Sequence, residues 1–97
     1  MRHEILLAPE ALEDLRKLRA NLRAEVRAAM EQHLRHEPGK SSKSRIKRLR
    51  GLARPQFRLR VGDVRVFYDV RDQQVEVLAI VAKAQAQQWL NRAGEKQ

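Results

Sequence analysis

The sequence predicts a single α+β domain over residues 1–97: an N-terminal strand, a helical hairpin packed on an antiparallel sheet of about four strands, and a short C-terminal helix. Three observations predict it. Leucines recur at helical spacing in the first third of the chain. Apolar and polar residues alternate in the last third, interrupted by two-residue turn signals. The chain has 97 residues, 42% of them apolar, which is enough for one modest core.

The N-terminal stretch "RHEILL", residues 2–7, reads as a short strand. Pro9 then suits the first position of a helix, where its missing N–H costs nothing. Leu12, Leu15 and Leu18 recur at near-helical spacing, with Glu13 and Lys17 as an i,i+4 pair outside. Asn21 breaks this run and is placed to cap a second helix. In that helix Leu22, Val26, Met30 and Leu34 repeat every four residues, to about His36. Each helix carries one apolar stripe, and a sheet is the natural partner for both. "EPGKSSKS", residues 37–44, is a loop by composition. "RIKRLRGLARP", residues 45–55, is a basic segment punctuated by Gly51 and Pro55.

Strands are expected at about 56–61, 64–71 and 74–82. Gly62-Asp63 is a two-residue loop with glycine first, the type II′ hairpin signature. It sets Val61 against Val64, Arg60 against Arg65, Leu59 against Val66, Arg58 against Phe67 and Phe57 against Tyr68. Alternation then gives one face to Phe57, Leu59, Val61, Val64, Val66, Tyr68 and Val70, so that Tyr68 is a core residue. Arg58, Arg60, Arg65, Phe67 and Asp69 take the other face. A second turn near Asp72-Gln73 brings Val75, Val77 and Ala79 to the core face and sets Leu78 opposite Phe67 and Ile80 opposite Arg65. The last helix starts at about Lys83, and Gly94 can stop it.

The net charge of +9 favours a polyanionic partner. Nine of the 21 Lys and Arg residues fall between Lys40 and Arg60, with no acid among them. The absence of cysteine excludes disulfides and thiolate metal sites. His3, His33 and His36 are too scattered to suggest a metal site, so no cofactor is expected. The N-terminus is not a signal peptide, and no stretch approaches the roughly 18 apolar residues of a membrane span. The expected location is the cytoplasm, with no membrane partner.

Arg60 directly across from Arg65, with Arg58 one step along the same face, is a like-charge arrangement that destabilises a sheet. Three guanidinium groups so placed call for an anion or for ample solvent. Arginine's planar fork matches phosphate, and rigid strands would hold the forks in place. The competing reading is that Arg58 pairs with Asp69 or a helix carboxylate while Arg60 splays into water. Phe67, Leu78 and Ile80 form an apolar strip beside the arginines, and an uncovered strip of that kind marks an interaction site. It is expected to be covered by a partner or by the last helix, and a partner is favoured.

With these elements in place, "KRLRGLARPQFRLRVGDVRVFYDV" and "VEVLAIVAKAQAQQWL" resemble the signature of the RelE/ParE toxin family of bacterial type II toxin–antitoxin modules. The likeness lies in a K-L-x-G step, an aromatic-led basic strand, a glycine turn and an R-V-x-Y strand. The resemblance implies the RelE-like fold. For the RelE branch it implies metal-independent cleavage of mRNA on the ribosome, in which a 2′-hydroxyl attacks the adjacent phosphate. By motif position the catalytic residues would be Arg58, Arg60, Arg65 and Lys83. RNA, including 16S rRNA, would be met by Lys43, Arg45, Lys47, Arg48 and Arg50, and by Trp89, which falls near the family's late tyrosine and is equally suited to dock the last helix on the sheet. The chain departs from the pattern in having arginines where RelE usually has lysines, and tryptophan for tyrosine. Acid–base work would then fall to Lys83 or Lys47. A cognate antitoxin is expected on the basic face and on Phe67, Leu78 and Ile80, with DNA met only indirectly through it. The alternatives are a ParE-like inhibitor of DNA gyrase without nuclease activity and a non-enzymatic nucleic-acid-binding module.

Overall fold

The computed structural model describes residues 2–97. In chain order the elements are β1 (Glu4–Leu7), α1 (Pro9–Lys17), α2 (Ala20–Leu34), β2 (Ile46–Arg48), β3 (Leu52–Arg54), β4 (Phe57–Val61), β5 (Val64–Arg71), β6 (Gln74–Ala82), α3 (Lys83–Ala93) and β7 (Glu95–Lys96). Five strands form one sheet in the order β1-β6-β5-β4-β2, and β3 pairs with β7 apart from it. The α+β class and the hairpin-on-sheet architecture follow the sequence reading.

The sheet differs from expectation in two ways. It is mixed, because β1 runs parallel to β6. It also has a fifth strand, because three residues of the basic segment pair antiparallel with β4. Within "IKR" only Ile46 is buried, so the alternation was too short to read as a strand. The helix boundary also moves. Arg19, not Asn21, occupies the cap of α2, without a side-chain capping bond, and Asn21 lies inside the first turn.

α1 and α2 cover one face of the sheet. Ala11 and Leu15, with Val26, Met30 and Leu34, pack on Leu59, Val66, Tyr68, Val75 and Val77. Tyr68 is fully buried, stacks on Phe57 at 5.5 Å and donates its hydroxyl to the Pro38 carbonyl at 2.6 Å, which anchors the loop after α2. Burial pushes its phenol up, so it stays protonated. α3 lies on the opposite face, where Trp89 packs on Phe67 and Ala79. The sheet is therefore the middle of three layers.

A bulge corrects the expected β5–β6 pairing. Tyr68 faces Val77, but Phe67 faces Ala79, so Leu78 is the extra residue. Beyond it every side chain changes face. Ala79 joins Phe67 under α3, Ile80 turns with Val66 into the helix-side core, and Val81 rather than Ile80 stands opposite Arg65.

The N–H of Ile80, just past this bulge, donates to Asp14 Oδ2 of α1 at 2.9 Å. Burial pushes the Asp14 carboxyl above its ordinary 3.8, although the bond from Ile80 pulls the other way. The folded state thus binds this proton more tightly than the unfolded chain, and stability from this group falls as pH rises through the carboxylate range. Asp14→Asn keeps an acceptor for Ile80 and has nothing to ionise. Its unfolding midpoint at neutral pH is expected to equal or exceed the parent's. Asp14→Ala strands the N–H and is expected to cost about 1–3 kcal/mol in urea unfolding. Equal losses in both variants would show that the charge, not the acceptor, is what the bulge needs.

Candidate nucleic-acid interface

The β4–β5 hairpin has the expected register, with Arg60 across from Arg65 and Arg58 across from Phe67. Gly62 sits at φ +56°, a conformation that L side chains rarely adopt, which is why the turn needs glycine there. β2 extends the face, because Lys47 pairs with Arg58. Reading across β6, β5, β4 and β2, one row is Ala79, Phe67, Arg58 and Lys47. The next row toward the turn holds Arg60 and Arg65. One end of this face is apolar and roofed by α3, and the other is cationic.

The three arginines are not equivalent. Arg65 is 7% exposed, and its Nη1 donates to the carbonyls of Gly62 at 2.8 Å and Val64 at 3.1 Å. It straps the hairpin turn and supplies fixed positive charge from beneath. Arg65 is thus not freely presented on the face, as the sequence led one to expect, but buried and bonded to the turn. Arg60 is exposed. Arg58 is half-buried, and its Nε is buried with no hydrogen-bond partner. Burial, and then the charges of Arg65 and Arg60, hold its guanidinium below the usual arginine range.

Asp69 does not neutralise it. That carboxylate accepts the Gln56 N–H at 2.7 Å and lies 3.3 Å from Arg54 Nε, while Arg54 Nη2 reaches Glu76 at 3.2 Å. Among the described residues, none of Arg58, Arg60 and Arg65 has a carboxylate within ion-pair distance. Arg54 was not expected to matter. It draws Asp69, the one acid of β4 and β5, away from the patch, a pairing between β3 and the main sheet that no local pattern in the sequence announces.

Lys83 opens α3, and its backbone N–H bonds to the Asp63 carbonyl at 2.7 Å. The exposed Lys83 therefore starts from the turn that Arg65 straps. Of the two roles open to Trp89, the structure shows the docking one. It is 5% exposed, stacks on Phe67 with centroids 5.0 Å apart and planes 8° apart, and donates Nε1 to Glu10 Oε2 at 2.7 Å. It docks the last helix and has no face free for a base. Phe67 and Ile80 are buried at 1% and 4% exposure, Phe67 under α3 and Ile80 in the helix-side core, so neither offers surface to a partner here. The chain's own last helix covers Phe67, the helical hairpin covers Ile80, and Leu78 stays partly accessible.

Lys43, Arg45, Lys47, Arg48 and Arg50 are all exposed. They do not share one face. Lys47 lies beside Arg58, whereas Arg48 turns toward the helix side and sits 5.2 Å over the Phe57 ring. Lys47 and Arg50 also line an open cleft of about 840 Å3 against α3, which the sequence did not reveal. Among the described residues no three His, Asp or Glu side chains are grouped to hold a metal ion, and no helix is long and apolar enough to cross a membrane.

The fold has several solved counterparts. Escherichia coli RelE toxin, an arginine double mutant in the free state, matches with a TM-score of 0.71 at 23% identity, covering 96% of this chain and 95% of that one. The toxin of an archaeal RelE–RelB complex from Pyrococcus horikoshii OT3 matches with a TM-score of 0.70 at 22% identity, over 86% and 97% of the two chains. The toxin–antitoxin complex RelBE2 from Mycobacterium tuberculosis gives 0.65 at 25% identity, over 84% and 99%. No curated protein sequence gives a significant match. Residues 5–87 match the family profile described as ParE toxin of the type II toxin–antitoxin system parDE. With that match spanning most of the domain and the fold shared with RelE toxins, the chain belongs to the RelE/ParE superfamily of type II toxins.

Proposed function

We propose that the protein is a ribosome-dependent mRNA endoribonuclease that works in the cytoplasm without a metal ion and is neutralised by a cognate antitoxin. The observation that supports this most is Arg58: a half-buried guanidinium with an unpartnered Nε, flanked by Arg60, Arg65 and Lys47, and with no carboxylate within ion-pair distance among the described residues. Such a group is poorly satisfied until an anion arrives. A phosphate would relieve it, and a phosphate gaining negative charge in a transition state would relieve it more.

In the reaction the substrate's own 2′-oxygen forms a bond to phosphorus as the bond to the 5′-oxygen breaks. A base takes the 2′-hydroxyl proton, and an acid gives a proton to the departing 5′-oxygen. Arg58 and Arg60 would hold the phosphate oxygens, with Arg65 fixing their strand. Lys83 or Lys47 would move the protons, because arginine stays protonated. The exposed Lys43, Arg45, Arg48 and Arg50 would meet the phosphates of 16S rRNA. An antitoxin would cover the arginine face. It could reach Leu78, which stays partly accessible, but Phe67 only by displacing α3, and Ile80 drops out of that surface. A role as a gyrase inhibitor is the second reading, supported by the ParE description of the matching family and by the burial of the tryptophan that stands near the RelE tyrosine.

Mapping of mRNA 5′ ends after induction, beside a gyrase supercoiling assay, tests the choice. Cuts within translated codons that vanish when translation is blocked are the expected result. Inhibited supercoiling with intact mRNA would replace this reading by the second.

A further inference from the structure

The cleft beside the arginine patch is a constructed feature. One wall is the basic segment at Lys47, Leu49 and Arg50; the other is α3 at Gln87, Leu90 and Asn91. The far end is tied shut. β3 pairs with β7 through Leu52 with Lys96 and Arg54 with Glu95, and the Gln97 N–H bonds to the Gly51 carbonyl at 3.3 Å. Gly94 sits at this end, where a Cβ would lie 2.5 Å from the Leu90 carbonyl oxygen and 3.3 Å from Leu52 Cδ2. The shorter contact is with the helix's own last turn, so glycine is what lets the chain leave α3 at this point and run back along β3.

The lining is chemically specific. Its charges are Lys47, Arg50 and Lys96, and no carboxylate lines it. Leucines 49, 52 and 90 supply apolar surface. Gln87 Nε2 donates to Asn91 Oδ1 at 3.0 Å, one turn apart on α3. That bond consumes one donor and one acceptor, leaving the Gln87 carbonyl oxygen and the Asn91 amide hydrogens to face a ligand. No aromatic ring lines the cleft, but an apolar wall, an acceptor beside a donor, and cations that include the Arg50 guanidinium suit a nucleobase with its flanking phosphates. The cleft also begins at Lys47, the neighbour of Arg58, so a strand whose phosphate lies on the arginines would put an adjoining nucleotide there.

We propose that this cleft is a nucleotide subsite that reads one base of single-stranded RNA, with Gln87 and Asn91 as the residues that set base preference. The proposal rests on RNA being the ligand, as in the reading above, but not on the chain cutting it. Binding therefore tests it separately from cleavage.

The experiment measures fluorescence anisotropy of the full-length protein with labelled hexanucleotides of A, C, G and U at fixed moderate salt. The parent and the Gln87→Ala/Asn91→Ala variant are compared, together with a Lys47→Ala/Arg50→Ala variant. Residues 87 and 91 are exposed, and a thermal melt confirms the fold. The parent is expected to prefer one base by about tenfold, the discrimination of a well-placed hydrogen-bonding pair. The amide variant should bind all four alike with an unchanged salt slope. The lysine–arginine variant should bind all four more weakly with a shallower slope. A parent with no base preference, or a preference that survives loss of both amides, overturns the subsite. No RNA binding by the parent overturns it too and leaves the cleft to a protein partner. Base preference dependent on the amides, in a chain that cuts no mRNA, upholds the subsite and removes the nuclease reading alone.

Discussion

Arg58→Ala is expected to lower mRNA cleavage by about ten- to a hundredfold while leaving the melting temperature unchanged or raising it. The two effects have one cause. In the free protein Arg58 is an expense: burial and the charges of Arg65 and Arg60 all disfavour its cation, and its Nε bonds to nothing. Truncation removes like-charge repulsion and a poorly satisfied polar atom, so the fold loses little. On a substrate the same group gains charge-assisted bonds to phosphate, each worth roughly 1.5–3 kcal/mol. At about 1.4 kcal/mol per tenfold, a bond made in the transition state accounts for the expected loss. Arg65→Ala should behave differently. Its guanidinium straps two carbonyls of the turn, so that variant should lose stability along with activity. Primer-extension cleavage assays beside thermal melts distinguish the two. An Arg58→Ala protein that melts lower and cuts as fast as the parent would reverse the assignment of roles.

That difference between Arg58 and Arg65 marks how far the sequence could be read. The hairpin register was legible because Gly62-Asp63 admits one favoured turn, and the turn fixes every opposing pair from Val61–Val64 to Phe57–Tyr68. Which arginine stays free was not legible. It depends on where the turn carbonyls point and on Arg54 drawing Asp69 away. The pairing of β6 failed at one residue, because a bulge at Leu78 leaves no mark in an unbroken apolar run and yet inverts the face of everything after it. Ile80 was lost from the expected partner surface for that reason alone. The roof over Phe67 was undecided for a related reason. Trp89 is equally suited to stack on a base or on a phenyl ring, and only the placement of Glu10 on α1, 2.7 Å from its indole nitrogen, decides between them.

Trp89→Ala is expected to release α3 without unfolding the domain. Removing a buried tryptophan costs about 3–5 kcal/mol. The other residues of that cluster are one phenylalanine, one alanine and partly buried neighbours such as Leu90 and Ala86. The helix-side core, with Leu15, Leu34, Leu59 and Tyr68 at its centre, shares none of these contacts. The loss therefore falls on one element. α3 has 11 residues, and isolated helices shorter than about 12–15 residues are marginal in water, so the undocked segment should melt. Hydrogen exchange should show amide protection in α3 reduced by about two to three orders of magnitude, while β5 and α2 stay protected. Trp89→Phe keeps a ring on Phe67 and loses only the bond to Glu10, so it should cost about 1 kcal/mol and leave α3 folded. Cleavage should follow the helix, not the indole. Lys83 starts α3, and Gln87 and Asn91 line the cleft from it. The alanine variant should thus lose activity and base preference together, and the phenylalanine variant should keep both. Loss of activity in the phenylalanine variant with α3 still protected would mean that the indole meets substrate directly and that the closed roof is not the working state.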